Sequence, residues 1–172
     1  MLVSQVQNGM LVEPNRVYII PPNTQMRLSK GVFELSPRNK VIGKYMPGNA
    51  FLTSLAADCG NRAIAVVLSG SNDDGTLGLT AIKAVGGFTF AQDKNTAIFN
   101  WMPLSAIATG HVDFVLPPEQ IATELVAIGR KAGNTAFCGF MGYSYLQKPH
   151  SERGREFKVS SICLRTAVNR GT

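Results

Sequence analysis

Cysteine is scarce in this chain: Cys59, Cys138 and Cys163 are the only three among 172 residues. They are odd in number, lie far apart and show neither a C-x-x-C pair nor metal-ligand spacing. A disulfide framework is thereby excluded, and reduced thiols in a cytoplasm are the economical reading. Long apolar runs are missing too. None approaches the roughly 18–20 residues that a membrane helix needs. The first residues, Met1 to Gln7, lack the basic region and apolar core of a secretory signal. Acidic residues are few, 11 against 17 Lys and Arg, which gives a net charge of +6. That excess sits mainly in residues 131–172, with seven basic and two acidic side chains; residues 1–130 carry ten and nine. The main body is therefore nearly neutral, and it lacks the aromatic-basic interleaving of an RNA-binding module. No G-x-S-x-G elbow, no G-x-x-x-x-G-K-[ST] loop and no cluster of His, Cys and carboxylates appears. Gly142-Tyr-Ser144 matches half an elbow, without a strand before it.

What is present is a globular composition, 45% hydrophobic and 16% charged, of a length that suits one ordinary domain. The chain is organised around residues 63–79. Ala63 to Leu68 is a continuous apolar run, β-branched at Ile64, Val66 and Val67, as expected of a strand buried on both faces. It breaks at Ser69, Gly70, Ser71 and Asn72. Asp73, Asp74 and Gly75 follow, and then Leu79, Ile82 and Val85 recur at helical spacing. Strand, tight turn and helix place the acidic pair at the carboxyl end of a strand, where open α/β sheets bind ligands. The two carboxylates there are either caps for a helix start or chemistry.

Around that centre, residues 17–20 read as a short strand ended by Pro21 and Pro22. Residues 26–28 and 32–35 alternate about Lys30 and Gly31 and read as a β-hairpin appendage at an edge, without chemistry. Residues 36–49 form a loop, 50–57 a helix closed by Gly60, about 75–85 a second helix, and 88–91 a strand. Residues 96–107 read as two short helical pieces broken before Pro103. Residues 113–116 read as a strand. Pro117, Pro118 and Glu119 start a last helix whose Ile121, Leu125 and Ile128 form a stripe that packs on a sheet. Trp101 and Met102 read as core packing or as a cleft lining. His111 and Asp113, two apart on a strand, point the same way and admit a dyad, although a surface turn is the plainer reading. Strands alternating with helices predict a doubly wound, mostly parallel α/β sheet. Only about three sheet strands are legible, which is few. From residue 132 the periodicity dissolves, so we expect residues 1–131 to be the domain and 132–172 a flexible basic tail.

Many of these segments occur together in one order: Arg62 to Gly70, Asn72 to Gly78, Gly86 to Asp93, Met102 to Ala106 and Val112 to Pro118, preceded by residues 17–22. In this the chain resembles the catalytic domain of chemotaxis protein-glutamate methylesterases (CheB), most of all the type fused to a CheR methyltransferase. The resemblance covers roughly residues 8–130. It implies a doubly wound α/β fold and a Ser-His-Asp triad that hydrolyses glutamate methyl esters on chemoreceptor helices, with no cofactor and no metal. The Asp of the family's Asp-Gly motif falls on Asp74. The main-chain N–H that helps hold the oxyanion falls on Ser71. The partners implied are a methyl-accepting chemotaxis receptor and a CheR-type methyltransferase domain, in the cytoplasm. The chain departs from the family at Asn72 and Asp73, where Gly-Ser or Gly-Asn is usual. The family's nucleophilic serine and its histidine precede the segment matching 17–22, and neither is found here. Losing such a triad member lowers turnover by on the order of 10⁶. The resemblance therefore predicts a truncated domain, inactive alone. A non-catalytic module that docks on the receptor or the methyltransferase is the alternative, and a generic small-ligand α/β domain a third.

Overall fold

Strand β5 (Ala63–Val67) is buried at every one of its five positions, as its unbroken apolar run predicts. It lies within a seven-stranded mixed sheet. The computed structural model describes residues 2–38, 45–131, 137–141 and 162–166, the last two segments as main chain. On one side β5 pairs in parallel with β6 (Phe88–Gln92), and β6 in parallel with β7 (Phe114–Leu116). On the other side it pairs in parallel with β8 (Phe137–Met141). Beyond β8 come β9 (Ile162–Thr166), antiparallel, then β2 (Arg16–Ile19), then β1 (Leu2–Gln5), parallel to β2.

The three strands legible in residues 63–116 are thus one flank of the sheet, and β1 and β2 are the other. The two flanks are joined by strands from beyond residue 131. The expectation of a flexible tail over 132–172 otherwise lies outside the described residues, as does the half-elbow at Ser144.

Helices α1 (Pro47–Cys59), α2 (Thr76–Ala84) and α3 (Trp101–Ala108) share the larger apolar core with Ala63, Ala65 and Val67 of β5. Ile64 and Val66 face the other way, into a smaller cluster with Phe90 and Ile121. Ile121 belongs to α4 (Pro118–Lys131), whose Leu125 and Ile128 join the same cluster. Alternate residues of one strand therefore serve opposite layers.

Two boundaries differ from the sequence reading for local reasons. Helix α1 begins at Pro47, because proline in the first turn forgoes an N–H that has no helical partner there. The break expected before Pro103 is absent for the same reason: α3 is one helix starting at Trp101, so Pro103 lies in its first turn. The hairpin, β3 (Thr24–Ser29) and β4 (Val32–Pro37), forms its own two-stranded sheet. Its turn residues Lys30 and Gly31 both have positive φ, 51° and 74°. It is not a detached appendage. Met26, Leu28 and Phe33 enter the main core. Ser54 Oγ of α1 accepts the Leu28 N–H at 2.9 Å, and the Asp58 carboxylate accepts the N–H groups of Lys30 and Gly31.

Candidate active site

The turn leaving β5 is anchored on both sides before it reaches the acidic pair. Ser69 donates its N–H to Gln92 Oε1 at 2.9 Å, and its hydroxyl oxygen accepts the Phe99 N–H at 2.9 Å. Gly70 donates to the Phe99 carbonyl at 2.8 Å and accepts the Met102 N–H at 3.0 Å. These bonds tie the carboxyl ends of β5 and β6 to the start of α3. Met102 packs in the core, as one of the two readings open from sequence has it, while Trp101 is 63% exposed and does not pack there.

Ser71 follows at the surface, and among the described residues its N–H meets no acceptor. Asn72 Oδ1 then accepts the Asp74 N–H at 3.0 Å, a side-chain turn that re-aims the main chain. Gly75, with φ of 98°, makes the corner into α2; a side chain would be strained there.

Asp74 is buried, with 2% of its surface exposed. Its Oδ2 accepts the Gly48 N–H at 2.9 Å and its Oδ1 the Asn49 N–H at 2.8 Å. Both donors belong to the first turn of α1, where N–H groups have no helical partner. Burial pushes the Asp74 carboxyl above the usual carboxylate range. The N–H groups of Gly48, Asn49 and Gly75 pull against that rise, and the neighbouring Asp73 charge adds to it. The capping reading of Asp74 is realised, but for α1 rather than α2. Each oxygen keeps lone-pair capacity for one further donor. Asn49, counted with the preceding loop in the sequence, is the residue that sequence reasoning missed; Pro47, two positions earlier, was the available signal.

His111 and Asp113 form no dyad. The Asp113 carboxylate is ion-paired with Lys83 of α2, and its Oδ2 accepts the Thr89 N–H at 3.0 Å and lies 2.9 Å from the Thr89 hydroxyl. What His111 offers Thr89 is its main-chain carbonyl, 2.6 Å from that hydroxyl. No group of three or more His, Cys, Asp or Glu side chains able to hold a metal occurs among the described residues. No helix there is long and apolar enough to cross a membrane.

Known proteins are similar to this chain in sequence and in fold. The chain is 45% identical over 121 residues to an uncharacterized 104.1 kDa protein of Rhodobacter capsulatus, 70% of this chain and 13% of that one. It is 40% identical over 129 residues to a protein-glutamate methylesterase/protein-glutamine glutaminase of Rhizobium meliloti, 74% of this chain and 36% of that one. The chain thus spans well under half the length of these relatives. The crystal structure of the Thermotoga maritima CheB methylesterase catalytic domain superposes with a TM-score of 0.64 at 30% identity, over 72% of this chain and 68% of that domain. Its α/β fold is the fold described above, and the family model for CheB methylesterase matches residues 1–125. The chain belongs to the CheB methylesterase family.

Proposed function

We propose that this chain is part of a protein-glutamate methylesterase that hydrolyses glutamate methyl esters on a chemotaxis receptor in the cytoplasm. In this reading Asp74 is the carboxylate of a Ser-His-Asp triad, which orients an imidazole and stabilises the imidazolium that forms. The N–H of Ser71 is one donor for the oxyanion, and no cofactor takes part. A CheR-type methyltransferase domain is the expected neighbour. The observation that carries the reading is the buried Asp74 carboxylate at the end of β5, fixed by two main-chain N–H groups, with capacity left to accept an imidazole N–H.

The same reading holds that the chain does not turn over ester by itself. Among the described residues no serine and histidine pair meets Asp74, and His111 lies with Thr109 and Thr89 instead. Methanol release from methylated receptor tests this. No release is expected from the chain or from its Asp74→Ala variant. Turnover by the chain that the substitution abolishes would overturn the inactivity and leave the role of Asp74 intact.

One observation favours a second reading, a module that docks on the receptor. Trp101 and Ile98, the latter 80% exposed, flank the Phe99 and Met102 groups that grip the turn. Large apolar side chains left in water close together mark contact surfaces. Retention of receptor fragments by the chain, lost in Trp101→Ser, supports docking through this surface; equal retention by both places the contact elsewhere, and none by either removes the reading.

A further inference from the structure

Helices α1 and α2 exchange their caps. Neither helix has a hydrogen bond from its own N-cap side chain. The first turn of α1 is capped instead by Asp74, from the turn that leads into α2. The first turn of α2 is capped by Asn49, from the first turn of α1: Asn49 Oδ1 accepts the N–H of Gly75 at 3.0 Å and of Gly78 at 3.1 Å. Asn49 is 8% exposed, so both capping side chains are withdrawn from water. Asn49 also donates its own N–H to Asp74 Oδ1. One residue thus closes the loop in both directions. The space is fully used: a Cβ at Gly48 would stand 3.1 Å from the Asp74 carboxyl carbon and from each of its oxygens.

We propose that Asn49 is a positioning residue for the Asp74 carboxylate, holding it in one orientation at the end of β5 through this reciprocal cap. The catalytic importance of that orientation rests on the reading given above; the interlock itself does not. The chemistry of the amide is what suits the position. Its carbonyl accepts two N–H groups without bringing charge. A carboxylate there accepts the same two but sets a second negative charge beside Asp74, in addition to Asp73. An alanine accepts neither, so the Gly75 N–H, shared until then between Asn49 and Asp74, is left to Asp74 while water enters the space.

The test follows the Asp74 carboxyl by carbon NMR across a pH titration of the whole chain, with amide exchange at Gly48, Asn49, Gly75 and Gly78 alongside. Asn49→Ala is expected to speed exchange at these four amides at least about tenfold, as capped groups open to water, and to lower the Asp74 titration midpoint. Asn49→Asp is expected to restore slow exchange at Gly75 and Gly78 and to raise that midpoint. The Asp113 midpoint is expected to stay in place in both. A role in helix stability alone would speed exchange in the alanine variant and leave the Asp74 midpoint and carboxyl shift unmoved, which would overturn the proposal. Should the alanine variant not fold, an unmoved Asp74 midpoint in Asn49→Asp overturns it equally. No ester turnover enters the readout, so the result is independent of whether the chain is an esterase.

Discussion

Asp74 and Asp113 are two aspartates at opposite ends of the parallel strands β5 to β7 of one sheet, and the chain treats them oppositely. Asp113 stands just before β7, beside the start of β6. It is partly exposed, ion-paired with Lys83 and bonded to Thr89. Its burial tends to raise the pKa, but the Lys83 and Thr89 contacts outweigh it and hold the carboxyl below the usual range. Asp74 stands just after β5, buried, with main-chain donors and no ion pair among the described residues. There the cost of burial wins, and the carboxyl is pushed up. A carboxylate neutralised by a lysine is a fastener. One kept from water, with no cation against it among the described residues, has the environment that the proposed triad role requires of its carboxylate.

The largest effect expected from this contrast is on folding. Asp74→Ala orphans two N–H groups inside the protein, each worth about 1–3 kcal/mol when left unpaired. Relief of the buried charge offsets part of that, so a net loss of about 2–3 kcal/mol is expected. Asp113→Ala releases a lysine into water and takes one acceptor from the Thr89 N–H and hydroxyl at a part-exposed position, for a smaller loss of about 1–2 kcal/mol. Urea unfolding of both variants ranks them, and equal losses would break the comparison.

A second effect separates them by sign. The folded pKa of Asp74 is raised, so the folded chain binds more protons than the unfolded chain above the unfolded value near 3.8. Its contribution therefore declines as pH rises from that value through the folded one. The folded pKa of Asp113 is lowered, so its contribution is present above about 3.8 and is lost as pH falls through the folded value. Stability measured from pH 2 to 7 in Asp74→Asn is expected to lose the decline, and in Asp113→Asn to lose the low-pH drop. If both variants change the same limb, the assigned environments are wrong.

How much of this was legible in sequence depends on how local the cause is. The run Ala63–Val67 announces a buried strand because every side chain in it is apolar. The turn at Gly75 and the stripe of α4 are equally local. Asp74 is legible because an acidic residue at a strand's carboxyl end reads as a cap or as chemistry, and its capping bonds are visible here. Asn49 was not found. Its role depends on the N–H groups of Gly75 and Gly78, 26 and 29 residues away, and nothing in its neighbours records that. The strand β1 was missed because its residues are mostly exposed at the sheet's edge, and edge strands carry little alternation. The strands β8 and β9 were missed because five-residue segments with Gly139 or Arg165 in them look like loop until a partner strand is supplied. The hairpin was recognised as a hairpin, while its docking on α1 through Ser54 and Asp58 is again a long-range fact.

The smallest expected effect lies one turn from Asp74, at Ser71, and it sharpens the contrast from the other side. If the carboxyl end of β5 is arranged around main-chain groups, the Ser71 side chain is dispensable. It stands at the surface and has no hydrogen bond among the described residues. Ser71→Ala keeps the N–H and removes only the hydroxyl. Its unfolding free energy is expected to stay within about 0.5 kcal/mol of the parent, the range of neutral surface changes. The Asp74 titration should not move either, because none of the groups holding that carboxylate belongs to Ser71. A clear shift of the Asp74 midpoint in this variant would mean that the hydroxyl, and not the main chain, reaches the carboxylate. The division between a fastened aspartate and one held by N–H groups alone would then fail at the site where it matters.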